Sequence, residues 1–218
     1  MVFKIKPGLP DDNCQSANDF PVLKINANER LFMNDTTFDR VYPNDIRIKS
    51  KKHWTPLNIA RKAADFLAEP DATVLDIGSG AGKFCLAGAY DHPEIIFCGV
   101  EQRHDLVLCA EAAKNHMGLT NAHFLYANMT QVKFSEFDHF YFYNSFYENI
   151  DGDDAIDNSI ETSYSLYSYY TRYLYAELEK KPPGTKLVTF HSAGEEVPKS
   201  FRLADISFDM MLQMWIKM

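Results

Sequence analysis

The chain lacks most of the features that would place it in a special class. No run approaches the ~18 apolar residues of a membrane helix, and the N-terminus Met-Val-Phe-Lys-Ile-Lys has no long apolar signal core. A cytoplasmic protein with no membrane partner is therefore expected. Cysteine is scarce: Cys14, Cys85, Cys98 and Cys109 form neither a C-x-x-C pair nor zinc-ligand spacing, so buried free thiols and no metal are expected. Basic residues are outnumbered, 22 Lys plus Arg against 30 Asp plus Glu. A net charge of -8 is a poor match to a polyanion, so nucleic acid is not the expected partner. H-E-x-x-H and G-x-S-x-G are absent, which removes two common hydrolytic chemistries.

What is present begins at residues 74–82, Val-Leu-Asp-Ile-Gly-Ser-Gly-Ala-Gly: an apolar run, an acid, and three glycines at alternate positions before a helical pattern. A strand that turns sharply on glycines lets the next helix's N-terminus approach a bound cofactor closely. A phosphate-binding P-loop would need glycine where Ile77 stands and Ser or Thr where Phe84 stands. The dinucleotide fingerprint fits Gly78 and Gly80 but places Lys83 at its third glycine, which disfavours NAD.

The remaining pattern, Asp76-x-Gly78-x-Gly80-x-Gly82, resembles motif I of class I S-adenosylmethionine (SAM) methyltransferases. That cofactor carries an ammonium and a sulfonium, which an acid at a strand end can answer. The resemblance implies that Asp76, Gly78, Ser79, Gly80 and Gly82 hold the methionine end. One βαβ unit later, the strand Ile95–Glu101 ends in a carboxylate able to accept from ribose hydroxyls.

Periodicity gives the frame. Residues 1–50, rich in Asn, Asp and Pro, read as an N-terminal cover with one or two short helices, and 51–218 as the cofactor-binding domain. Thr55-Pro56 starts a helix with Leu57, Ala60, Ala63, Ala64 and Leu67 on its apolar face. Strands are expected at 72–77, 95–101, 122–127, 138–144 and 186–191, with helices near 82–90, 104–117 and 156–180. The runs 201–208 and 211–217 are too close for a crossover and read as a terminal antiparallel hairpin. The fold class is α/β: a doubly wound, mostly parallel sheet with helices on both faces. With the hairpin it matches the seven-strand arrangement of the same methyltransferase family.

Other positions extend the resemblance. Asn128 stands where the family usually has an acid that accepts from the adenine amino group, and Met129 can pack on the ring; a tight-turn role for Asn128 is the plainer alternative. Asn144-Ser145-Phe146-Tyr147 keeps the first and fourth residues of motif IV and replaces both prolines. It resembles the Asn-x-x-Phe of the non-SET protein-lysine methyltransferases, as do the glycine motif and the Gly-Val-Glu strand end. Asn144 and Tyr147 are thus the candidate catalytic residues, with Tyr143 and Phe146 beside the acceptor. Trp54-Thr55-Pro56 resembles motif X, in which Thr55 meets the methionine carboxylate, although Thr55 also suits a helix cap. Lys49, Lys51, Lys52 and His53 form a basic stretch, either a solvated face or an attractor for an acidic group.

The tyrosines of 164–175 fall beside a helical stripe (Ile156, Ile160, Tyr164, Tyr167, Thr171, Leu174, Leu178) and suit a half-buried helix. The expected activity is SAM-dependent methyl transfer to an amine or amide nitrogen on a protein. A small-molecule acceptor, or a non-catalytic nucleoside sensor or scaffold, is the alternative. Oligomeric state is left open.

Overall fold

The computed structural model describes residues 34–151 and 155–218; Cys14 and the first part of the expected cover lie outside them. Seven strands form one sheet: β1 (Thr73–Ile77), β2 (Ile96–Glu101), β3 (Ala122–Tyr126), β4 (His139–Tyr143), β5 (Lys186–Phe190), β6 (Phe201–Ser207) and β7 (Leu212–Lys217). Their order is β3-β2-β1-β4-β5-β7-β6. The first five are parallel, and β7 pairs antiparallel with both β5 and β6. The expected α/β sheet with a reversed terminal strand is what forms. The chain turns from β1 outward to β2 on one side and to β4 on the other, which opens a crevice at the carboxyl ends of these strands.

Strand alternation feeds two apolar layers. Val74 of β1 and Tyr141 of β4 face one layer, with α3 (Leu57–Leu67) and α4 (Lys83–Asp91). Leu75, Ile77, Phe140 and Phe142 face the other, with Leu174 and Leu178 of α6 (Tyr164–Glu179). A strand buried on both faces must be apolar throughout, and β1 is buried at every position. Phe38 of α1 (Asp35–Phe38), Tyr42, and Ile46 of α2 (Asn44–His53) join the first layer, so this part of the cover shares the domain's core. The expected boundary at residue 50 falls inside α2. The remaining helix, α5 (His104–Met117), packs Leu106, Cys109 and Ala113 on the same side. Among the described residues no helix is long and apolar enough to cross a membrane.

Two expectations are corrected. The helix expected over 156–180 begins at Tyr164, where the Ser163 hydroxyl accepts from the Leu166 amide. The Asp/Asn/Ser-rich stretch before it favours turns over helix. Tyr164 is consequently 71% exposed and Ile156 turns toward the strand-end crevice instead of extending a stripe. Thr55 does not cap α3. Its hydroxyl lies 3.0 Å from the Tyr141 hydroxyl, Pro56 occupies the cap position, and the Leu57 amide donates instead to Asp35 Oδ1 at 2.9 Å.

Candidate active site

The loop after β1 holds Gly78, Gly80 and Gly82 at φ of 74°, 54° and 80°, a region closed to most side chains. Its amides are committed within the protein: those of Gly78 and Ser79 donate to Val100 O, and that of Gly80 to Glu101 Oε2 at 3.0 Å. The loop is thereby stapled to the end of β2. A Cβ on Gly80 would lie 2.3 Å from the Trp54 ring, and one on Gly78 would lie 2.5 Å from the Ser145 side chain. Glycine is thus required so that Trp54 and Ser145 can close over the loop as walls. The Ser145 hydroxyl completes the contact by donating to Ile77 O at 2.6 Å.

The cleft so formed is open at its mouth and, counting the solvent-filled part, spans about 1080 Å³. Of the residues predicted from sequence, Thr55, Asp76, Gly78, Ser79, Gly80, Glu101, Asn128, Met129, Tyr143, Asn144 and Phe146 line it. Gly82 and Tyr147 do not. Gly82 packs under Phe124 and Ala110 at the start of α4, and Tyr147 begins a 3-10 turn with 38% of its surface exposed. The turn points Glu148 inward in its place.

Two buried acids form the floor. Burial pushes the Asp76 carboxyl up to about 8, with Glu101 nearby adding to the rise and a weak thiol hydrogen bond from Cys85 opposing it. Glu101 is also raised, again by burial, against the hydrogen bonds from the Arg103 and Gly80 amides. Each Glu101 oxygen accepts one amide hydrogen and retains a second lone pair for a further donor. The Ser79 hydroxyl is buried in the cleft wall without a hydrogen-bond partner among the described residues. An uncommitted hydroxyl, a neutral acid able to ionise and a carboxylate with spare acceptor capacity fit a cationic, hydroxyl-bearing nucleoside such as SAM.

Arg103 was not anticipated. It is buried, and its guanidinium grips Glu148 with both terminal nitrogens at 2.7 and 3.3 Å while its Nε reaches Asp157 at 3.1 Å. Asp157 is drawn down to about 2: burial alone would raise it, but hydrogen bonds from Ser159 and Arg103 outweigh that. Arg103 therefore ties the end of β2 to the turn after β4 and to the segment before α6. The only sequence signal was an Arg two places beyond the strand-end acid, which by itself means nothing.

Lys83 is a second surprise. Rejected as a P-loop lysine, it is buried and pairs with Asp35 and Asp39, both at 2.6 Å, clamping the N-terminal segment to the first turn of α4. On the opposite wall Asn128 acts as a cap: its oxygen accepts from Thr130, and its amide nitrogen donates to Tyr170 at 2.8 Å and Gln102 at 3.1 Å. Asn144, at the mouth, sits at φ 39°, a left-handed position that Asn tolerates better than most residues.

Comparisons with known proteins agree with this architecture. A family model described as "Putative methyltransferase" matches residues 70–141, from just before β1 into β4. The tRNA (guanine-N(7)-)-methyltransferase of Synechocystis sp. (strain ATCC 27184 / PCC 6803 / Kazusa) is 40% identical over 93 residues, 38% of this chain and 43% of that protein. The enzyme of the same name from Synechococcus sp. (strain JA-3-3Ab) is 51% identical over 55 residues, 25% and 23% of the two chains. The chain thus spans less than half the length of these curated relatives. An RNA methyltransferase from Salinibacter ruber, solved with S-adenosyl-L-homocysteine, superposes with a TM-score of 0.51 at 18% identity over 75% of this chain and 92% of that one. A SAM-dependent methyltransferase from Aquifex aeolicus gives 0.51 at 14% identity over 84% and 96%. The fold is that of the class I methyltransferases.

The relatives also correct the acceptor and the partner. Sequence kinship runs to enzymes named for a tRNA guanine, not for a protein lysine or a small molecule, so the expectations of a protein nitrogen and of no nucleic acid both fall. The resemblance to protein-lysine enzymes rested on the glycine loop and the Gly-Val-Glu strand end, which concern the cofactor and say nothing of the acceptor. Its third support was the segment Asn144-Ser145-Phe146-Tyr147, of which Asn144, Ser145 and Phe146 line the cleft and Tyr147 does not. A whole-chain charge sum, in turn, says nothing about how charge is distributed.

Proposed function

We propose that the protein is a SAM-dependent methyltransferase whose acceptor is a guanine N7 in RNA of the tRNA class. The observation that carries the proposal is the kinship with enzymes of that name, at 40% identity over 93 residues. The chemistry of the cleft supports it. Guanine N7 attacks with an in-plane lone pair and has no proton to lose, whereas an ammonium acceptor must first be deprotonated. Two of the cleft's carboxyls suit the former: burial raises Asp76 to about 8, and Glu148 is gripped by Arg103.

When bound, SAM supplies a methyl group already activated on a sulfonium. Thr55, Ser79 and Asp76 hold its methionine end and Glu101 its ribose, while Met129 and the wall around Asn128 flank the adenine. Tyr143 and Phe146 present aromatic surface at the mouth, Phe146 being braced by Phe142 and Tyr170 at ring separations of 4.7 and 5.6 Å. Such surfaces take an unstacked base. The Asn144 carboxamide can donate to guanine O6, the acceptor next to N7, and so fix the base edge. In-line positioning supplies most of the rate effect.

The test is transfer of tritiated methyl from SAM to purified tRNA, followed by nucleoside chromatography. Label in 7-methylguanosine is the expected result. Label in another nucleoside, or none despite saturable SAM binding, would overturn the acceptor.

A further inference from the structure

The chain's net charge of -8 conceals a basic element at the edge of the cleft. The ten residues of α2 contain Arg47, Lys49, Lys51 and Lys52, with Asp45 as the only acid. The helix is firmly seated on its inner face. Ile46 and Ser50, one turn apart, are buried; the Ser50 hydroxyl donates to Asp39 at 2.5 Å and accepts from Lys83 at 3.3 Å. The Trp54 indole donates to the Ile46 carbonyl at 3.2 Å, and that ring lies on Gly80. The helix is thus fixed to the glycine loop itself. On the outer face Arg47, Ile48, Lys51 and Lys52 are exposed, and the row ends at Lys52, which lines the cleft.

A plainer account exists for part of this: Lys51, Lys52 and His53 fill the last turn, where cations offset the helix dipole. It does not reach Arg47 in the first turn, nor Lys49. Four basic residues on one anchored helix, in a chain with 30 acids, concentrate positive potential at one side of the mouth. A strip of one sign beside the mouth of a net acidic chain favours approach of a polyanion from that side.

We propose that the outer face of α2 is the RNA-docking surface, where the exposed Arg47 and Lys51, with the half-buried Lys49 at the flank of that face, meet backbone phosphates flanking the nucleotide presented to the cleft. The inference rests on the RNA acceptor proposed above. Contacts of this kind position a nucleic acid without reading its sequence, leaving base selection to the cleft.

The test compares wild type with the triple variant Arg47→Gln, Lys49→Gln, Lys51→Gln, using tRNA binding by fluorescence anisotropy between 50 and 200 mM salt. A second triple variant, Lys133→Gln, Lys180→Gln, Lys199→Gln, removes the same charge from exposed positions outside the cleft. SAM calorimetry on all three proteins checks folding, because none of the six residues touches the proposed cofactor site. The α2 variant should keep SAM affinity, lose tenfold or more in tRNA affinity, and show a log K against log salt slope shallower by roughly 2 to 3. The remote variant should bind tRNA as wild type does. Unchanged tRNA binding in the α2 variant, or an equal loss in the remote one, would overturn the docking surface and leave the RNA acceptor standing. A wild type that binds SAM but no tRNA would overturn both.

Discussion

The two halves of the cleft are held together by different forces. The half formed by β1 and β2 is set by backbone: left-handed glycines, and loop amides bonded to Val100 and Glu101 across 21 residues or so. The half formed after β4 is set by side-chain charge. There Arg103 reaches 45 residues along the chain to Glu148 and 54 to Asp157. Backbone conformation restricts which residues may stand at each position and so leaves a spacing signature. A distant ion pair restricts only that two charges meet, and its members look like any other Arg and Glu. If this distinction is sound, damage to the charge network should spare the cofactor, and damage to the backbone half should not.

The largest expected effect comes from Arg103→Met. It strands Glu148, 9% exposed, and Asp157 without their cation, and breaking such a buried network costs about 3–5 kcal/mol. Urea unfolding measures the loss. In protein that remains folded, KM for tRNA should rise more steeply than SAM affinity falls by calorimetry, although Arg103 also lies 3.9 Å from Glu101. Loss of SAM binding at equal measure would erase the division between the halves.

A smaller effect follows from Asp76. Its folded pKa of about 8 lies above the ordinary carboxylate value of 3.8, so the native state binds a proton that the unfolded chain has released. Stability is therefore full below pH ~4 and falls as pH rises toward 8, by up to about 1.4 kcal/mol per unit, or roughly 3 kcal/mol from pH 5 to 7. Asp76→Asn removes the titration. Chemical unfolding at pH 5, 6 and 7 should give a flatter profile for the variant than for wild type, whereas parallel profiles would mean that Asp76 ionises in the folded protein.

How much was legible follows the same division. All seven strands and the reversed hairpin could be read because strand and helix periods alternate cleanly from residue 55 onward, and β1 and β2 end in acids that the topology brings to one crevice. Most of the cofactor-side residues reach the cleft for that reason. Tyr147 was misplaced because a 3-10 turn rotates it outward and Glu148 inward, a shift of one residue that no spacing rule encodes. The ion pairs of Arg103 and Lys83 leave no sequence signature because their partners are far away along the chain. The partner was misjudged because a net charge averages over the surface, whereas α2 keeps its basic residues together, and the acceptor because the glycine loop and the Gly-Val-Glu strand end speak only of the cofactor.

The mildest test of the backbone half is Gly80→Ala. The new Cβ meets Trp54 Cζ3 at 2.3 Å and Cε3 at 2.8 Å, and the residue must hold φ 54°. Overpacking and left-handed strain together should cost about 2 kcal/mol. The two causes can be separated by adding Trp54→Leu, which removes the ring but not the strain. If the ring clash dominates, the double variant should be less destabilised relative to Trp54→Leu alone than Gly80→Ala is relative to wild type, as read by thermal unfolding. If strain dominates, the two differences should be equal. In either case Gly80→Ala should weaken SAM binding more than tRNA binding, the reverse of Arg103→Met; an equal loss of both ligands would mean that the loop and the acceptor mouth act as one body.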